Sequence, residues 1–314
     1  MVARRHHFIS QCYLRGFTVD PKSPQLFVTD LRARRQFWTS PTNVALEQNF
    51  HTVDVPGHSP DVVEKRIAEF ESDLGPALLR IREARSLADD HDRGMLMFFM
   101  ALLTIKNPRM RHLIGSFMGD VAKVDLKARA ADPEHWAAEM ARSKAEGTIP
   151  QDADVDAMRK HVLEDAFEFS VSTPGHLHME FNLVDKLLPY FGGRKWAFCE
   201  GSAGRTTFIT SDNPVCLMWK DPSRSDAPGL GRSDTQIIFP IANELAIIGV
   251  YEDVSCQAGV VDNLIPIVNG AILTCVDRQV YARGDDFVYV MPHDSRTMHG
   301  KEILDGAVSK APDV

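Results

Sequence analysis

Residues 178–200, HMEFNLVDKLLPYFGGRKWAFCE, contain the point at which the chain changes period. Up to Phe191 the apolar residues recur every three to four positions, the spacing of a helix with one buried face. Gly192-Gly193 then offers the residue type that most readily ends a helix, and Lys195–Glu200 (KWAFCE) is a short apolar and aromatic run of the strand kind. The fold class follows from what lies on either side: α+β, with a large central α-helical block before the switch and a mainly antiparallel C-terminal sheet after it.

Upstream, helical patterns cover about residues 59–191. Ser59-Pro60-Asp61 is a start signal, and Val63, Ile67, Phe70, Leu74, Leu78 and Ile81 form a stripe predicted to be interrupted at Gly75-Pro76. Asp92 to Lys106 is apolar on nearly every face and belongs at the centre of the helical layer, until Asn107-Pro108 kinks or ends it. Amphipathic helices are expected between Arg109 and Arg142, from Asp156 to about Ser170, and from His178 to Phe191. Ahead of the block, Gln25–Leu31 and Gln36–Thr39 predict an N-terminal β-hairpin across Arg32–Arg35.

Downstream, Thr206–Thr210, Val215–Trp219, Gln236–Phe239 and Glu244–Val250 are short β-rich runs of an antiparallel meander, with Lys220–Ser233 as a mobile flap. Val254–Val268 is expected to be a covering helix and Ala271–Ala282 a returning strand. The whole is expected to form one unit over residues 1–300, with the sheet at about 194–291 and a loose tail at 301–314.

The 314 residues are 44% hydrophobic and 25% charged, the balance of a folded chain. A formal charge of −8 argues against wrapping nucleic acid by bulk electrostatics, leaving only a local basic patch for that role. The longest apolar run, Met95–Ile105, falls short of the roughly 20 residues of a membrane-spanning helix. The basic, aromatic start lacks a long apolar region with a small-residue cleavage site, so a cytoplasmic protein without a membrane partner is expected. The five cysteines are scattered and form no C-x-x-C pair, which points to reduced thiols.

Polar groups that could carry chemistry are spread along the chain. His6 and His7 are adjacent, so at most one serves any single site, as base or metal ligand; a histidine satisfied within a polar core fits equally. Glu64 and Glu71 lie two helical turns apart on one face and could hold a divalent cation, or form a solvated edge beside Lys65 and Arg66. Ser211-Asp212-Asn213-Pro214 follows an apolar strand, where catalytic groups often project, though Asp-Asn-Pro also builds plain turns. Arg109 and Arg111 could clamp a phosphate, or simply start a helix. His176-x-His178-x-Glu180 suits a metal only if extended. No H-E-x-x-H, Walker loop or G-x-G-x-x-G is present, which removes the ordinary zincin, NTPase and Rossmann readings.

The opening His6-His7-x-x-x-Gln11-x-Tyr13-Leu14-Arg15-x-Phe17, with Val63-Glu64 through Glu71 and Ile209-Thr210-Ser211-Asp212-Asn213-Pro214, resembles the domain-of-unknown-function family numbered 4238. Phe239-Pro240-Ile241 and Asn269 also look like family positions, and the resemblance runs from His6 to about Ala282. It implies a helical middle, an SDNP turn and a mostly bacterial setting, and no activity. Ser10 stands where the family has proline, and Lys106-Asn107-Pro108 where an Arg-x-Pro is expected, which argues against a cation acting there.

The reading drawn from these residues is a metal-assisted hydrolase acting on a phosphodiester. Asp212, His7 and Glu64 are its catalytic candidates, and His6, Glu64, Glu71 and Asp212 its metal candidates. Arg109, Arg111, Gln11 and Asn213 are assigned to substrate binding, and the ion is expected to be Mg²⁺ or Mn²⁺ ahead of Zn²⁺. One rival is a non-catalytic binding or regulatory module with a protein partner, in a bacterial defence or toxin–antitoxin setting. Another is a metal-free hydrolase using Ser211 with a histidine base.

Overall fold

The computed structural model describes residues 4–20, 22–54, 57, 59–202, 207–253, 259–260, 262–292 and 296–305. The chain passes through β1 (Arg5–His7), the short α1 (Gln11–Leu14), β2 (Leu26–Asp30), β3 (Arg35–Thr39) and β4 (Leu46–Gln48). Six helices follow: α2 (Val62–Ala84), α3 (Asp90–Ile105), α4 (Pro108–Ala131), α5 (Pro133–Ala145), α6 (Val155–Leu163) and α7 (Thr173–Gly192). Beyond the period change come β5 (Lys195–Glu200), β6 (Thr210–Ser211), β7 (Cys216–Trp219), β8 (Thr235–Ala242), β9 (Leu245–Val250) and β10 (Gly259–Val260). The chain continues with α8 (Ile265–Cys275), β11 (Gln279–Ala282), β12 (Val288–Tyr289) and β13 (Met298–His299). The fold is α+β.

Two compact units divide the chain: residues 1–107 with 177–314, and residues 108–176. The helical stretch read from the sequence as one block is therefore shared between them.

In the larger unit, a five-stranded sheet has the order β10-β5-β9-β8-β7, antiparallel except for the β10–β5 pair. Alternation along its central strands sorts side chains to two cores. Ile237, Phe239 and Ile241 of β8 and Leu245 and Ile247 of β9 join residues of α1, α2 and α3 in one cluster. Ile238 and Ala246 join Ile272 of α8 in another. A sheet buried on both faces needs apolar residues at consecutive positions, which is why TQIIFPIA and LAIIGV show no polar alternation. The predicted hairpin forms and is extended by C-terminal strands into a second sheet, β3-β2-β11-β6.

Three expectations change. α2 runs unbroken through Pro76; the helix gives up one backbone bond there. The covering helix lies later than predicted, at 265–275, and takes in Ala271, which was assigned to strand. An apolar run without periodicity does not distinguish helix from strand. Gly270 is required in α8 because any Cβ would fall 1.8 Å from the Val290 carbonyl oxygen. Finally, the flap is tethered: the Arg224 guanidinium lies over the Trp219 ring at 3.4 Å, Trp219 Nε1 donates to Asp226 O, and Arg194 donates to Leu230 O.

Residue 206 of one predicted strand, 254–258 and 261 of the predicted helix, and 306–314 of the predicted tail lie outside the described residues. Glu302 and Ile303, placed in that tail, are described, with Ile303 buried.

The smaller unit centres on Ala130, Trp136 and Met140. Asp132 and Asp154 cap α5 and α6 through backbone N–H groups. Among the described residues no helix is long and apolar enough to cross a membrane.

Candidate metal centre

The N-terminal histidines are sorted by strand geometry. β1 pairs antiparallel with β4, His6 opposite Glu47 and His7 opposite Leu46. Successive side chains on a strand point to opposite sides, so His6 is fully buried while His7 is only partly so. After β4 the chain turns at Asn49, whose φ of 55° is in the left-handed region that Asn tolerates. That turn delivers His51 to His6. The His51 backbone N–H donates to His6 Nδ1 at 2.8 Å, and the two rings stack 5.3 Å apart at 9°.

Glu64 arrives from the first turn of α2, where the helix dipole favours a carboxylate. Its Oε2 lies 2.6 Å from His51 Nδ1. Burial pushes His51 down to about 4, overriding the pull of Glu64 in the other direction. Burial acts to raise Glu64, but the bond from His51 and the nearby charges outweigh it and hold the carboxyl below its usual range. Both directions describe a neutral imidazole donating Nδ1–H to an ionised carboxylate. His51 Nε2 is then left as a lone pair, and it is buried without a partner.

Potential ligand atoms of His6, His51 and Glu64 lie within 4.8 Å of one another. Three of the six buried side-chain polar atoms that lack a partner among the described residues belong to this neighbourhood: His7 Nδ1, His51 Nε2 and Thr52 Oγ1. Buried polar atoms are nearly always bonded, to protein or to ordered water.

Lys106 stands at the position where the sequence argued against an acting cation. It follows α3, is buried, and donates from Nζ to His7 O at 3.2 Å. Its charge opposes protonation of His51 and His7 and favours ionisation of Glu64 and Glu71. Glu71, two turns along α2 from Glu64, is raised mainly by burial and accepts a bond from Ser10. His6, His7, Glu64 and Glu71 thus lie in one neighbourhood, without Asp212. His51, which carried no motif, and Lys106 lie there too.

Other candidates belong elsewhere. Asp212 is nearly buried at the end of β6 and accepts three backbone N–H groups, from Asp277 at 3.0 Å, Arg278 at 2.7 Å and Gln279 at 2.9 Å. Its oxygens hold the α8–β11 turn, and it is not among the grouped ligands. Asn213 donates to Cys275 O at 2.9 Å, tying the same turn to the end of α8. Ser211 is fully buried, its Oγ accepting the Asn213 N–H, which removes the exposure a serine nucleophile requires. Gln11 opens α1 and is partly buried. Arg109 and Arg111 lie on α4 in the smaller unit. His176, His178 and Glu180 fall on α7 and therefore fan apart, with His178 bonded to Asn182 at 3.0 Å.

Other residues that carried the family resemblance also act as fasteners. Tyr13 Oη bonds Thr210 Oγ1 at 2.7 Å and donates to Pro240 O at 2.8 Å. Asn269 accepts from Ile209 N–H and donates to Thr207 O and Val288 O.

No curated protein and no solved structure matches the chain. The family described as "Protein of unknown function (DUF4238)" matches residues 5–286, most of the chain, and the protein belongs to that family.

Proposed function

We propose that the protein is a metal-assisted hydrolase acting on a phosphodiester, with its ion held by His6, His51 and Glu64. The observation that carries this reading is the approach of these three donors to within 4.8 Å, drawn from a strand, a turn and a helix that the fold brings together. Two histidines with one carboxylate are a donor set that divalent ions of the zinc kind take. A bound divalent ion would lower the pKa of a coordinated water and polarise a phosphoryl oxygen. Lys106 takes the place first given to Arg109 and Arg111, supplying positive charge beside the cluster, and Glu71 accepts the proton released from water.

The test is hydrolysis of bis(p-nitrophenyl) phosphate by ion-loaded protein beside the Glu64→Gln and Lys106→Met variants. Turnover in wild type that Glu64→Gln abolishes supports the reading. An ion-loaded wild type no faster than buffer overturns it.

A second reading, a non-catalytic binding module, is favoured by the roles of Tyr13, Asp212, Asn213 and Asn269, which fasten elements together. It expects ion or partner binding without turnover.

A further inference from the structure

We infer that the ion at this cluster is of the borderline transition class that Zn²⁺ typifies, and that Mg²⁺ and Ca²⁺ do not occupy it. This rests on the metal-site reading above and departs from the order expected from the carboxylates alone.

Two of the three grouped donors are imidazoles, both fully buried. Imidazole nitrogen suits Zn²⁺ and its neighbours, whereas Mg²⁺ and Ca²⁺ take oxygen donors, and Mg²⁺ keeps several of its waters. Two imidazoles and one carboxylate leave a single oxygen-bearing side chain in the group, where Ca²⁺ takes roughly six to eight oxygens.

The local charge points the same way. Hard cations are held largely by the number of carboxylates around them. Here Glu64 is the single carboxylate within the group, and the charge of Lys106 acts on it and on Glu71. One carboxylate is few for an ion held by oxygen alone, so affinity must come from coordinate bonds to nitrogen.

The His51 ring is fully buried, and its Nε2 has no partner among the described residues. Asp212, the oxygen donor that made a hard ion attractive, is committed to backbone N–H groups.

The experiment strips the full-length protein with a chelator and follows thermal unfolding with Zn²⁺, Mn²⁺, Mg²⁺ or Ca²⁺, in wild type, His51→Gln and Glu64→Gln. An ion at about 100 times its Kd should raise the melting temperature by about 3–6 °C. The expected result is that shift with Zn²⁺, a smaller one with Mn²⁺, none with millimolar Mg²⁺ or Ca²⁺, and its loss in both variants. Should His51→Gln fail to fold, Glu64→Gln together with the visible spectrum of Co²⁺-loaded wild type, which reports nitrogen ligands, makes the same decision.

If Mg²⁺ or Ca²⁺ stabilises wild type as much as Zn²⁺ and His51→Gln keeps that shift, the ion class is wrong while an ion-dependent hydrolase survives. If no ion shifts wild type, or the shift persists in both variants, the inference and the proposed function fall together.

Discussion

Two polar regions of this molecule use similar parts and end in opposite states. At the turn after β6, a buried carboxylate meets three backbone N–H groups, and its neighbours Ser211 and Asn213 also find partners. At the meeting of β1, the 49–52 turn and α2, a buried imidazole meets a carboxylate through Nδ1 and, among the described residues, no partner at Nε2. The first region closes its hydrogen bonds and holds elements together; in the second, His7 Nδ1, His51 Nε2 and Thr52 Oγ1 lack a partner among the described residues. A polar motif at a strand end is therefore ambiguous until its partners are counted, because the same groups serve architecture when satisfied and ligand binding when not.

The largest effect should come from the satisfied region. Asp212→Ala orphans three backbone N–H groups in a dry turn and is expected to cost about 3–5 kcal/mol, read from urea unfolding. A loss below about 1 kcal/mol would break the contrast by showing that the turn does not depend on that carboxylate.

Next is a pair of opposite pH dependences, measured with a chelator present. Burial pushes Asp212 up to about 6, so the folded state binds its proton more tightly than the unfolded chain. The associated stability is present in acid and declines by up to about 3 kcal/mol as pH rises from about 4 to 6. His51, pushed down to about 4, stays neutral when folded. Its contribution is present above the ordinary imidazole value and is lost, again by up to about 3 kcal/mol, as pH falls from about 6.5 to 4. The stability difference between wild type and His51→Gln should therefore shrink on acidification, while that between wild type and Asp212→Asn should grow. Slopes of the same sign would remove the distinction between the two regions.

Asn213→Ala removes one bond to Cys275 O and should cost about 1 kcal/mol in the same assay. Smallest in stability is Glu64→Gln, which keeps shape and one acceptor for His51. In ion-free protein it should change the unfolding free energy by less than about 1 kcal/mol, yet abolish ion-dependent stabilisation. A large loss without any ion would move the cluster into the same structural class as Asp212.

Much of the architecture was legible before the fold was known. The period change at Gly192-Gly193, the hairpin around Arg32–Arg35 and the buried α3 all follow from local spacing. The boundaries of α8 were not, because its residues are apolar on every side and carry no period. Nor was the continuity of α2, since whether Pro76 breaks a helix depends on how firmly its flanks are packed, here through Ile67, Leu74, Leu78 and Ile81. Within the site, His6 and Glu64 were legible as polar groups in motifs. His51 was not: it is a lone histidine in the stretch QNFHT, with no spacing signal of its own.

By itself the sequence determined the α+β class, the family and the inventory of groups able to do chemistry, since periodicity, motif and residue type are local properties. Only the tertiary structure decided which of those groups meet. The β1–β4 pairing, the left-handed turn at Asn49 and the first turn of α2 bring His6, His51 and Glu64 together, and backbone N–H groups near residue 278 claim Asp212. Those are contacts between segments distant in the chain, and their partners are set by packing and hydrogen-bond closure, which no local pattern encodes.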